Sequence, residues 1–309
     1  MIKHLVAACA LCLALAGCGG GEQASGTRRP VPGKNENPDV LVKHAVESRS
    51  ALSSIAGKGV MRIVDQPSKF GLTVNANVVA DANENRLRIK ADKLAGSIQA
   101  FDVVMLGDDI GFYIPTQNTL YHGKVGDLQN FSFNFDPDEV MKQMMTADNS
   151  LTRRKWHYAD AGADDPKNAI VLEDSGAKNK PSIRLALNPK TGMIYTITHL
   201  DARGKPVFVK KFDDYRGLAK GSRRGDKLGA DENAFPYLIS FIWPQDRRSM
   251  EMHFKQVEGN ARVSDGDFDI AASATTRYLP LNQAQMEAEM GDDGPLAAMP
   301  RAPTEKGRM

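Results

Sequence analysis

The chain has 309 residues, 41% of them hydrophobic and 25% charged; that is enough to bury a sizeable core and excludes a disulfide-stapled miniprotein, a wholly disordered chain or a membrane-embedded one. Its 40 Lys and Arg stand against 38 Asp and Glu, a net charge of +2, so the field that gathers nucleic acid is absent and no nucleic-acid partner is expected.

In chain order, Lys3 and His4 precede the apolar run Leu5–Ala16. A charged start and a short apolar stretch match a signal peptide, whereas a membrane span needs roughly 20 apolar residues. The run ends in Leu15-Ala16-Gly17-Cys18, which resembles the bacterial lipobox. Residues 1–17 are therefore expected to be a lipoprotein signal peptide, with Cys18 the lipidation site, carrying acyl chains such as palmitate and anchoring the protein to the membrane. Cys9 and Cys12 fall in the removed part, so the mature chain keeps no cysteine for disulfides, thiol nucleophiles or thiolate metal sites. Position 19 is Gly rather than Asp; in a host with two membranes this favours the outer membrane, facing the periplasm. Residues 18–38 are the lipidated Cys and a polar, flexible tether.

From Asp39 onward Leu41, Val42, Ala45, Val46, Leu52 and Ile55 recur at spacings of three and four, which predicts an amphipathic helix with Asp39 as N-cap and Gly57 as stop. The period then falls to two, as in Leu72, Val74, Ala76 and Val78 or Leu87, Ile89 and Ala91, predicting strands with one wet and one dry face. Further strands are expected near 59–65, 97–106, 109–115, 119–124, 153–159, 168–174, 182–188, 193–200, 206–213, 235–243 and 249–257. Asn188–Gly192 and Asp201–Gly204 read as hairpin turns closed by a left-handed glycine. Asp136-Pro137-Asp138-Glu139 opens a short helix with Met141, Met144 and Met145 on one face. The fold class is thus mainly β: one large curved antiparallel sheet forming an unclosed barrel, with helices over its concave face, spanning 39–280. Residues 281–309, interrupted by Pro295, Pro300 and Pro303, are expected to form a disordered tail.

Catalytic signatures are missing. No G-x-S-x-G or G-x-G-x-x-G occurs, and His44, His122, His157, His199 and His253 are scattered singly without metal-ligand spacing. Acidic pairs such as Asp108-Asp109 and Asp213-Asp214, and basic doublets such as Arg247-Arg248, lie in turn-like segments where solvated surface charge is the ordinary role. No catalytic residue, cofactor or metal is expected. The apolar features remain: Met141, Met144 and Met145 are flexible, polarizable side chains that serve either as core filler or as an adaptable binding surface.

Three segments together carry a resemblance: Ser53–Ile63, then Met105–Pro115 with Asn118–Gly123, then Pro236–Pro244 through Met250–Val257. In this order they resemble the LolA/LolB superfamily of lipoprotein carriers and receptors. The resemblance implies an unclosed antiparallel barrel whose helices plug an apolar cavity that receives acyl chains of a lipoprotein or lipid, with no catalysis. Lining candidates are Phe101, Met105, Phe112 and Ile114 from mid-sheet, Met141, Met144 and Met145 from the internal helix, and Ile242, Met252 and Phe254 from the last strands. A sensor of lipid occupancy, or an envelope scaffold acting through a protein partner, is the alternative.

Overall fold

The computed structural model describes residues 36–47, 52–67, 69–94, 98–130, 149–162, 165–174, 180–218 and 234–281. Period-two alternation governs most of them. It produces β1 (Ser54–Asp65), β2 (Phe70–Asp81), β3 (Arg86–Lys93), β4 (Gln99–Leu106), β5 (Asp109–Ile114) and β6 (Thr119–Lys124), an antiparallel meander. A second run comprises β7 (Trp156–Tyr158), β8 (Ile170–Asp174), β9 (Ser182–Leu187), β10 (Ile194–Leu200), β11 (Pro206–Gly217), β12 (Ala234–Trp243) and β13 (Arg248–Gly259). Antiparallel pairing of β1 with β13 joins the two runs into one sheet, in the order β14-β6-β5-β4-β3-β2-β1-β13-β12-β11-β10-β9-β8-β7. The sheet is curved and unclosed, as expected. Its last strand, β14 (Arg277–Pro280), was not foreseen and pairs parallel to β6, so the sheet is mixed at that edge.

Alternation selects the dry face. Leu72, Val74, Ala76, Val78 and Ala80 of β2 are all buried, and the residues between them are half-buried or exposed. Register then sets cross-strand neighbours: Met61 of β1 stands between Val74 of β2 and Met252 of β13. The two foreseen turns form as read, Asn188 Oδ1 accepting the N–H groups of Lys190 and Thr191 at 2.8 and 3.2 Å, with Gly192 at φ 70° and Gly204 at φ 74°.

The helix α1 (Pro38–Glu47) buries Leu41, Val42, Ala45 and Val46 within the same core as the sheet's dry face. It is shorter than the apolar spacing predicted. Ile55 and Gly57 belong to β1, because a strand starting at Ser54 buries Ile55, Gly57, Gly59 and Met61 in alternation and gains two ladders of backbone hydrogen bonds. The cap also differs: Asn37 Oδ1 accepts the Asp39 N–H at 2.9 Å. The Asp39 carboxylate turns instead to the sheet, accepting the Trp156 N–H at 2.8 Å and the Lys155 ammonium at 3.1 Å. The Trp156 N–H and then Lys155 hold this carboxyl below its ordinary pKa.

After β13 the chain does not turn back on itself. Residues 260–276 cross the convex side: Ser54 Oγ donates to the Ala261 carbonyl at 2.6 Å and the Arg88 guanidinium to the Asp267 carbonyl at 3.0 Å. Phe268 is buried beneath Arg86, whose guanidinium carbon lies 4.5 Å from the ring centroid. At the far side Asn118, in the left-handed region at φ 46°, donates to the Thr275 carbonyl and accepts from the Thr276 hydroxyl. Leu281 is buried in the core, so the folded body includes it rather than ending at 280. Glu36 and Asn37, read as tether, contact the body through Tyr158 and α1. Cys18, the Met-rich segment 136–145 and residues 282–309 lie outside the described residues.

Candidate apolar binding face

The concave face is tiled by cross-strand rows. In one, Phe101, Ala91, Ala76, Gly59 and Phe254 are successive register partners across β4, β3, β2, β1 and β13. In the next, Tyr121, Phe112, Val103, Ile89, Val78 and Gly57 run from β6 to β1. The first row has Ala and Gly between bulky flanks, while the second runs through Val and Ile to Gly57, beside which the Phe254 ring fills the centre of the face.

Glycines fix that centre. A β-carbon on Gly59 would lie 2.3 Å from the His253 carbonyl oxygen, at the place where the β1–β13 register shifts and Lys255 is the extra residue. Only glycine admits that approach.

Of the lining candidates, Phe101, Met105, Ile114, Met252 and Phe254 are buried on the concave face. Phe112 is half-buried on the same face, its ring 5.9 Å from that of Phe101. Ile242 is elsewhere. It faces Val209 and Ser249 in register and has the opposite parity to the buried Ile239 and Phe241, which puts it on the convex side. Met141, Met144 and Met145 are outside the described residues.

One polar group on this face was missed. Lys210 of β11 is 1% exposed, and no other Lys or Arg among the described residues is buried. Its register partners are Ile197 and Phe241. Its ammonium lies 5.2 Å from the Phe208 ring centroid, and that ring stacks on Trp243 at 5.0 Å and on Phe241 at 6.2 Å, with His199 at 5.7 Å. A signal existed: Lys210 is in phase with Phe208 and Phe212, where alternation calls for an apolar side chain. On the convex side, charges pair across strands. Arg88 grips Asp102 through Nε at 3.0 Å and Nη2 at 2.7 Å, which raises the guanidinium pKa further.

No protein-family model matches the sequence, and no curated protein matches it. Solved structures do. A DUF1329 family protein from Desulfovibrio piger aligns with 76% of this chain and 96% of its own length at 11% identity, TM-score 0.51. A domain named for outer membrane lipoprotein sorting from Vibrio parahaemolyticus aligns over 75% and 95% at 11% identity, TM-score 0.49. A LolA superfamily protein from Nitrosomonas europaea aligns over 76% and 98% at 12% identity, TM-score 0.45. These likenesses are of fold alone.

Proposed function

We propose that this is a lipid-anchored periplasmic protein that holds acyl chains of a lipoprotein or lipid against its concave face, serving their transport or outer-membrane assembly without catalysis. One observation carries the reading: an unclosed sheet presents row upon row of apolar residues on one face. Burial there is worth roughly 0.8 kcal/mol per methylene, so a long chain binds with no reactive group. Phe101, Met105, Phe112, Ile114, Met252 and Phe254 are the contact residues on the described strands; Met141, Met144 and Met145, outside the described residues, are added on their sequence spacing alone. Cys18 supplies the anchor, which favours the outer membrane because Gly19 follows it.

The test is extraction of purified protein into organic solvent and mass spectrometry of what is released. Stoichiometric acylated molecules support the reading, and ligand-free protein that also ignores added fluorescent fatty acid refutes it. Within that assay Met145→Asp is expected to weaken binding at least tenfold. Cys18→Ala is expected to block processing and to release the body from the membrane fraction.

A further inference from the structure

We propose that one rim of the sheet docks on an anionic phospholipid surface through a row of cations carried by its hairpin turns. This goes beyond the acyl-binding reading and does not depend on it, because the charges stand at the strand ends and not on the concave face.

Antiparallel order gathers the turns. Because β1 pairs with both β2 and β13, the β1–β2, β12–β13 and β10–β11 turns emerge at the same ends of the strands, as do β3–β4 and β8–β9. Taken along the sheet, these five hairpins bring Lys93, Lys69, Arg247, Arg203 with Lys205, and Lys180. All but Lys93 are exposed. The acids in the described part of these turns are Asp201 and Asp246, and Asp201 Oδ1 is engaged locally, accepting the N–H groups of Arg203 and Lys205 at 2.8 and 2.9 Å. The strand-end carboxylates Asp65 and Asp174 are held by Arg248 and Arg154. The opposite rim has the other sign. Among the described residues there, Glu84, Asp108, Asp265, Asp267 and Asp269 outnumber Lys190 and Arg262.

Backbone conformation singles out two of these cations. Lys69 and Arg247 sit at φ 56° and 52°, in the left-handed region. The other non-glycine residues with positive φ among the described ones are Asn85, Asn118, Asn168, Asp214 and Asn260, the residue types that enter that region at least cost. A long cationic side chain offers no such local compensation, and glycine would relieve the strain. The two turns also touch, the Gln66 N–H donating to the Arg247 carbonyl at 3.2 Å. Two strained cations thus stand on neighbouring turns at the middle of the row, and charge is the property these positions keep.

The spread of the charges selects the partner. Cations distributed over the turns of five hairpins suit an extended negative surface rather than one small anion. Each basic residue held near an anionic leaflet strengthens binding about fivefold, and only within a Debye length, so cations on one rim act together while those elsewhere do not. The start of the folded body lies beside the same rim. Asp39 accepts the Trp156 N–H and Tyr158 donates to the Glu36 carbonyl, which fixes residues 36–39 along β7, whose first residue pairs with Asp174. A tether running from Glu36 back to a lipid anchor therefore begins next to the cations.

The experiment follows backbone hydrogen exchange of the purified full chain mixed with vesicles of phosphatidylcholine, alone or with roughly one third phosphatidylglycerol, at low salt. Peptides spanning 201–206 and 244–248 are expected to exchange at least about threefold more slowly on the anionic vesicles than on the neutral ones, and the difference is expected to vanish in about 0.5 M salt. Peptides spanning 82–85 and 107–109, on the acidic rim, are expected to stay unchanged. Replacing Lys69, Arg203, Lys205 and Arg247 together by Gln should abolish the slowing. Lys69→Gly with Arg247→Gly should weaken it while unfolding at a temperature no lower than the unaltered chain, a combination that a merely structural role for the two side chains does not produce. Equal exchange on the two vesicle types overturns the proposal, and so does equal slowing at both rims or slowing that survives the fourfold replacement. Slowing by soluble polyglutamate without slowing by anionic vesicles assigns the rim to an acidic protein and overturns it as well. Attachment through a lipid anchor alone holds the chain on both vesicle types and gives equal exchange, so failure of this proposal leaves acyl binding and the anchor standing. The lipid and salt dependence of the unaltered chain decides the matter whether or not the variants fold.

Discussion

The Phe254 ring occupies the space that any side chain on Gly57 would need: a β-carbon at position 57 would lie 2.8 Å from Phe254 Cε1. A strand glycine and a ring on the neighbouring strand therefore form one packing unit at the middle of the concave face. Gly57→Ala is expected to push the ring aside and destabilise by about 1–2 kcal/mol, a cost largely relieved by adding Phe254→Leu. Gly59→Ala meets backbone rather than a movable ring, so about 3 kcal/mol or more is expected, with no rescue from Phe254→Leu. Urea unfolding of the single and double variants checks both statements.

Asp102 is buried, and Arg88 is its partner on the convex side. Replacing Asp102 with Asn keeps the shape and strands the guanidinium, at an expected cost of about 3–5 kcal/mol. Arg88→Met with Asp102→Leu removes both charges and should return most of that stability. A double-variant series in which the paired replacement is the worst of the three would refute this account.

Acid acts on the helix. The Asp39 carboxyl has its pKa lowered, first by the Trp156 N–H and then by Lys155. A carboxyl depressed in the folded state adds stability that is complete above its unfolded value of about 3.9 and is lost as pH falls through the folded one. The group is partly exposed, which limits the contribution to below about 1 kcal/mol. Asp39→Asn should therefore lower the thermal midpoint slightly at pH 6, and the difference should close as the pH drops below about 4 and approaches the folded pKa. A gap that persists unchanged at pH 2.5 would show that the carboxylate charge contributes nothing.

Asn118 latches the crossing segment. Its side chain holds Thr275 and Thr276 while its backbone sits in the left-handed region. Asn118→Ala loses the bonds and keeps the strain, and faster proteolysis between residues 260 and 276 is expected, by about tenfold for a loss near 1.4 kcal/mol. Asn118→Gly removes the strain and should fall between the two.

Legibility in the sequence followed the regularity of the alternation. Leu72 to Ala80 and Leu87 to Ala91 announce β2 and β3 because every second residue is apolar and nothing interrupts them. The boundary of α1 was hidden because Leu52 lies seven residues from Ala45 and Ile55 three from Leu52, a helical spacing, while Ile55 also begins the strand phase that Met61 and Ile63 continue. Over so few residues the two periods coincide, and pairing with β2 and β13 decides between them. The four-residue β14 is stabilised by its neighbour β6 and by the latch at Asn118, neither of which leaves a local trace. Ile242 was misplaced by one step of parity in a strand that is apolar at nearly every position, Phe235 through Trp243, so that sequence alone does not say which half faces inward. Lys210 is legible in hindsight, because its phase with Phe208 and Phe212 puts it on the dry face.

The strand that ends the described chain borders β6, and β1 near the start pairs with β13 near the end. This arrangement imposes a timetable. During synthesis β1 through β6 can assemble as a local meander, but β1 keeps one row of backbone groups unpaired until some 190 further residues have been made, and β6 keeps its outer row unpaired until after residue 276. Open rows of this kind invite pairing with other chains, and distant partners slow their closure. The nascent protein thus passes through a long interval with two adhesive edges and a half-covered apolar face. Its yield should depend on holding chaperones more than its final stability would suggest, and the last strand to form seals one of those edges.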